Sequence, residues 1–263
     1  MSYASASVGL LAVESYYKRD DKLVKNTKSI CIRAIILLCF SDRCALEKSN
    51  INGKMYSLNE REDQRKAIFS WLGNQGYTEF LTASERELFE KEVGRGDSKG
   101  IISKQIRYEA IEPCLWAVGL RETLSGFDQF VQDDFHPVLE IGRNHSINSL
   151  VSKLSLKSIS DLALQREIAM LWNWRAREAN SSIFTEEKAK DIIISTFGNE
   201  YEQIVQHIQS LKQGQEDFIV GSKQFNKLSI EEMRKVAMIS MWRQHAFEWI
   251  TSEDEWDEID TST

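Results

Sequence analysis

Only two prolines, Pro113 and Pro137, stand in a chain of 263 residues, so almost nothing in it forbids helix. Helix starts are instead spelled out. Ser57-Leu-Asn-Glu60, Thr82-Ala-Ser-Glu85 and Ser229-Ile-Glu-Glu232 each place a glutamate three residues after a hydroxyl cap, a spacing that satisfies two orphan N–H groups reciprocally. Gly73, Gly76, Gly94, Gly119, Gly198 and Gly214 read as stops. The pattern predicts helices over about 8–18, 29–46, 58–73, 83–93, 102–118, 127–141, 147–155, 159–179, 186–197, 199–213 and 230–250. The fold class that follows is all-α, a multi-helix array of about nine to eleven helices. Strand signals are confined to 217–226, which reads first as a helix–helix linker and at most as one small hairpin. Gly, Asn and Ser cluster at 142–149 as a soft boundary, yet 1–263 reads as one continuous helical domain.

Apolar residues at 42% and charged residues at 28% argue against wholesale disorder. The net charge of −7 comes with no basic stripe, which excludes counterion-releasing contact with nucleic acid and favours a protein partner with a basic surface. Cys31, Cys39, Cys44 and Cys114 form no C-x-x-C pair and read as buried, reduced thiols. Val8 to Val13 is apolar but lacks a positive flank, so it is not read as a signal peptide. The longest apolar run, Ile30 to Phe40, carries Arg33 and is too short to cross a bilayer. A cytoplasmic setting is the expectation.

Rotating each strong helix by about 100° per residue exposes an anomaly. Arg33 lies among Leu37, Phe40 and Cys44; Arg107 projects from the arc of Ile106, Ala110, Ile111 and Cys114, with Glu109, Glu112 and Trp116 opposite. Arg175 falls inside the arc of Leu164, Ile168, Leu171 and Trp172, and Arg243 sits between Val236, Ile239 and Ile250. Each of these cations is expected on a buried surface, where it needs a carboxylate or carbonyl partner. Glu109, Glu112, Glu167, Glu178 and the tail supply the acids. That tail, residues 252–263, sets six carboxylates around Trp256 and Ile259. The two apolar residues are expected to dock it on the bundle and bring Asp257 and Asp260 onto arginines. Such a network is either an internal ion-pair lattice or a pocket for an anionic ligand.

Catalytic patterns are weaker. His245 and Glu248, one helical turn apart between Trp242 and Trp249, are the best acid–base candidates, and a packed histidine explains them as well. No H-E-x-x-H or paired E-x-x-H pattern occurs, so neither a metal nor another cofactor is expected. Arg95-Gly-Asp97 spells an adhesion tripeptide, but its place in the polar loop Gly94 to Gly100 makes it coincidence.

The stretches Arg33-Ala-Ile-Ile-Leu-Leu, Arg107-Tyr-Glu-Ala with Leu115-Trp-Ala-Val-Gly-Leu, Arg166-Glu-Ile with Trp174-Arg-Ala-Arg-Glu, and Trp242-Arg-Gln-His-Ala-Phe-Glu-Trp249 followed by Trp256-Asp-Glu-Ile-Asp carry a likeness. Together they resemble a bacterial domain-of-unknown-function family, number 4272, from about residue 29 to the end. The chain departs from the family pattern at Gln244, where a histidine often follows the arginine. The resemblance implies a helical fold and a bacterial cytoplasmic setting, and it brings no activity. The function expected is a non-enzymatic interaction protein, for example of immunity or scaffold type. The rival is an enzyme or binding protein whose arginines hold a phosphate or carboxylate.

Overall fold

The computed structural model describes residues 24–51, 53–141, 147–178 and 217–261. Within them the chain is mostly helical. The α-helices are α1 (Thr27–Ala45), α2 (Leu58–Asn74), α3 (Ala83–Glu90), α4 (Ser98–Ser103), α5 (Ile111–Ala117), α6 (Ile147–Val151), α7 (Ile159–Arg177) and α8 (Ile230–Ile250). All three predicted capping boxes form, with Ser57, Thr82 and Ser229 as caps and Glu60, Glu85 and Glu232 returning the bond.

Several expectations need correction. The helix count is eight among the described residues, not nine to eleven. The predicted helices at 8–18, 186–197 and 199–213 lie outside the described residues, as do residues 142–146 of the soft boundary. Two hairpins stand where at most one was expected: β1 (Asn50–Ile51) pairs antiparallel with β2 (Lys54–Met55), and β3 (Ile219–Val220) with β4 (Lys223–Gln224). In the second, Gly221 adopts the left-handed turn (φ 61°) that the preferred linker reading overlooked.

The predicted helix 102–118 is three pieces: α4, a 3₁₀ segment over Lys104–Ala110, and α5. Pro113 explains the break. It has no N–H to return to residue 109, so an α-helix can pass through it only by starting close before it, at Ile111. Residues 127–141 are irregular rather than helical. Asp134 turns back to accept the His136 N–H at 3.0 Å, and Pro137 follows.

The core centres on α1, whose side chains from Ile30 to Phe40 are buried around the whole axis. It packs against α5, the 3₁₀ segment, Phe89 of α3 and Phe247 and Ile250 of α8. Helices α7 and α8 form the most extensive helix pair. Beside them a smaller cluster gathers Leu171, Trp172, Phe218 and Phe225, and Phe127 packs against both clusters. After α5 the chain turns at Gly119 (φ 77°), where a Cβ would come within 3.3 Å of the Ser155 carbonyl. Only glycine fits there without strain. Among the described residues no helix is long and apolar enough to cross a membrane.

Candidate functional site

Three of the four anomalous arginines are locked in internal pairs. Arg33, on α1, donates through one Nη to both oxygens of Glu85 at 3.0 Å and through the other to the Phe80 carbonyl at 2.8 Å. Glu85 is fully buried and is the capping-box glutamate of α3, so the same carboxylate also accepts the Thr82 N–H. Arg175, on α7, makes a two-point bond with Asp217 at 2.7 and 2.6 Å. Asp217 in turn accepts the N–H groups of Phe218 and Asn226, closing the β3–β4 hairpin. Arg243, on α8, donates to Glu109 at 2.9 Å and to the Ser125 and Gly126 carbonyls. Glu112 lies 3.4 Å from the same guanidinium and also pairs with Arg121 at 2.8 Å. Burial pushes the Glu109 carboxyl above the usual range, against the opposing pull of Arg243 and the Val131 N–H.

Glu109, Glu112 and Trp116 are therefore inside, not on the opposite, outward face expected of them. The rotation failed because residues 104–110 wind as 3₁₀ and α5 restarts the phase. Glu167 pairs with its neighbour Arg166, and Arg175 takes Asp217 instead.

Sequence reasoning missed two further pairs. Arg43 is fully buried on α1, bonded to Glu47 at 2.9 Å and to the carbonyls of Leu88 and Lys91. Arg65 on α2 pairs with Glu62 at 2.7 Å and donates to the Phe89 carbonyl. The carboxylates of these pairs accept the N–H groups of Gly94 and Val93. The available signal was the i,i+4 and i,i+3 spacing of opposite charges.

The acidic tail lies against this interior. Trp256 is 2% exposed, with its ring 4.9 Å from the Arg33 guanidinium and 5.5 Å from the Trp249 ring. Ile259 is partly buried on the core. Lys25 Nζ donates to the carbonyls of Glu253 and Asp254 at 2.9 Å, while Asn173 and Arg177 donate to the Thr261 carbonyl at 3.1 and 3.0 Å. Asp257 and Asp260, expected on buried or half-buried arginines, are exposed. The short 3₁₀ turn Trp256–Glu258 points the indole in and the acids out, and Glu85 already occupies Arg33.

His245 donates from Nε2 to the Trp256 carbonyl at 3.0 Å, between the rings of Trp242 and Trp256. Burial, reinforced by the nearby Arg107 and Arg33, holds the ring down at about 4, against the pull of the carbonyl and Asp257. It is neutral at pH 7 and too weak a base for efficient proton transfer there. Burial raises the Glu248 carboxyl, opposed by Arg166 at 3.9 Å. The pair is better described as a tail clasp and a helix-side acid than as an acid–base couple. Burial likewise pushes the thiols of Cys31, Cys44 and Cys114 up to about 12, which leaves them unreactive.

A second polar cluster was not anticipated. His136 bridges Asp42 at 2.8 Å and Asp134 at 2.6 Å on the rim of an open pocket of about 360 Å³. The pocket is lined by Ala45, Leu46, Ile51, Gln64, Ala67 and Ile68 besides Asp42 and His136. The hydrogen bond to Asp42, more than the charges around it, raises the imidazolium to about 9. Among the described residues no group of histidine, cysteine and carboxylate side chains could hold a metal ion.

A helical chain organised around internal arginine–carboxylate pairs is the class that this geometry defines. A family described as Domain of unknown function (DUF4272) matches residues 12–189, and the chain belongs to it. The match covers the segments of Arg33, Arg107 and Arg175 and stops before α8 and the tail. No curated protein and no solved structure matches the chain.

Two outcomes follow. His136 has a folded pKa raised above its ordinary 6.5, so its clamp on α1 is complete below pH 6.5 and fades as pH rises through about 9. The melting temperature should fall across that interval, and His136→Gln should remove the fall; an unchanged slope in the variant would refute the clamp. Truncation after Thr251 removes the buried Trp256 and should cost at least about 3 kcal/mol in chemical denaturation. Equal stability of the two forms would mean that the tail is not held.

Proposed function

We propose that this protein is a non-enzymatic interaction protein, of immunity or scaffold type, that presents its acidic tail to a basic protein surface. The observation that carries the reading is the internal satisfaction of Arg33, Arg175 and Arg243. Cations so consumed are not offered to a ligand, which weakens the rival reading of a shared four-arginine pocket.

The tail supports the same conclusion from the other side. Glu253, Asp254, Glu255, Asp257, Glu258 and Asp260 are all exposed, while the backbone that bears them is fastened by Lys25, Asn173 and Arg177 and by the buried Trp256. A pinned strip of charge loses less conformational freedom on binding than a free one. It also speeds encounter with a surface of opposite sign. These six acids make up most of the net charge of −7, and the rest of the chain does not oppose that attraction.

The test is affinity capture from the source cells, followed by titration of the purified partner against the intact protein and a Glu253→Lys, Asp254→Lys, Asp257→Lys variant. Binding of the intact protein should weaken roughly tenfold or more between about 50 and 300 mM salt, as screening shortens the reach of exposed charges. The lysine variant should lose it. A partner whose affinity ignores both salt and the three substitutions contradicts the reading.

A further inference from the structure

Arg107 differs from the other three arginines in having no carboxylate of its own. It sits in the 3₁₀ segment between α1 and α8, with its guanidinium carbon 4.8 Å from the Phe40 ring centroid and 5.2 Å from that of Trp242. Its Nη1 is buried and makes no hydrogen bond. The closest carboxylate oxygen with which it pairs, Oε1 of Glu85, is 3.9 Å away, too far for one. That carboxylate is already spent on Arg33 and the Thr82 N–H. The indole N–H of Trp242, the same ring that flanks Arg107, is buried and likewise lacks an acceptor.

Two guanidinium groups thus share one buried carboxylate, beside two unspent donors. His245 is neutral and adds no charge, and Lys104 of the same 3₁₀ segment is exposed to solvent. Asp257 faces His245 from the exposed tail, where water screens it. A buried donor left without an acceptor is costly, and a charged one more so. The Arg107 side chain is 15% exposed, so the corner communicates with solvent.

We infer that Arg107 and Trp242 are the donor pair of a binding site for a small oxyanion, a carboxylate or a phosphate. Phe40 and Trp242 lie against the guanidinium, and its buried Nη1 is the nitrogen left without an acceptor. Arg33 supplies the neighbouring positive charge, and Glu85 fixes Arg33 rather than Arg107. The site goes beyond the tail-mediated interaction and is independent of it: loss of one leaves the other standing.

The experiment uses the full chain, melted and titrated by tryptophan fluorescence in sodium phosphate, sodium acetate and sodium chloride at matched ionic strength. A saturable rise in melting temperature and a saturable fluorescence change are expected in phosphate or acetate and not in chloride. The stronger of the two identifies the anion class. Arg107→Met, which keeps the bulk and removes the charge, should abolish both responses. Trp242→Phe, which keeps a ring and removes the N–H, should weaken the affinity by roughly tenfold, the value of one hydrogen bond to a charged group. Identical behaviour in the three salts, as a single bridging water would produce, overturns the inference. So does a response that survives in Arg107→Met. If Arg107→Met fails to fold, unchanged affinity in Trp242→Phe overturns it alone.

Discussion

A guanidinium group buried between its own helix and the carbonyls of a neighbouring helix end or loop is the interaction on which the rest of this structure depends. Arg33, Arg43, Arg65 and Arg243 each hold a carboxylate and at least one backbone carbonyl at once. Their carboxylates complete the exchange by accepting backbone N–H groups: Thr82 on Glu85, Gly94 on Glu47, Val93 on Glu62 and Val131 on Glu109. Asp217, the partner of Arg175, accepts from Phe218 and Asn226. A buried loop is normally penalised by polar groups that it cannot pair. Here the charged pairs supply those partners, so the segments 91–97 and 120–141 can run over the core without regular structure.

The arrangement couples elements distant in sequence. Glu109 and Glu112, beside the break forced by Pro113, bind an arginine on α8 and fasten the loop between them through Ser125 and Val131. Asn173 links α7 to Gln244 on α8 at 2.7 Å and to the Thr261 carbonyl of the tail. The tail thereby closes over α8, and His245 is drawn into that closure through the Trp256 carbonyl rather than left available for proton transfer. Removing one member of such a pair strands its partner in a low-dielectric interior, whereas removing both with apolar side chains of similar size is far less harmful.

Much of the fold was legible in local signals and much of the network was not. The three capping boxes were readable because their chemistry lies within four residues, and α1, α2, α3, α7 and α8 follow from them and from apolar periodicity. Burial of Arg33, Arg175 and Arg243 was readable from rotation about regular helices. Their partners were not, except Glu109 and Glu112: Glu85 and Asp217 lie 52 and 42 residues from the arginines they bind, and no local pattern marks them. Asp257 and Asp260, expected to reach arginines once Trp256 and Ile259 docked the tail, are exposed while Trp256 is buried. Arg43 escaped notice because it follows Ser41 and Asp42 at the polar end of α1, and Arg65 because α2 is polar on most sides, so neither surrounding offers a contrast against which a buried cation stands out. Residues 127–141 have largely helix-compatible composition, and tertiary bonds from Glu109, Arg121 and His136, with the local turn at Asp134–His136 before Pro137, fix them otherwise.

The most direct test is a double-mutant cycle across Arg33 and Glu85, measured by chemical denaturation of Arg33→Met, Glu85→Leu and the double variant. Each single change should cost about 3–5 kcal/mol by stranding a buried charge, and the double variant should recover much of that loss. Single variants as stable as the intact protein, or losses that simply add, would contradict the claim that paired buried charges organise the fold.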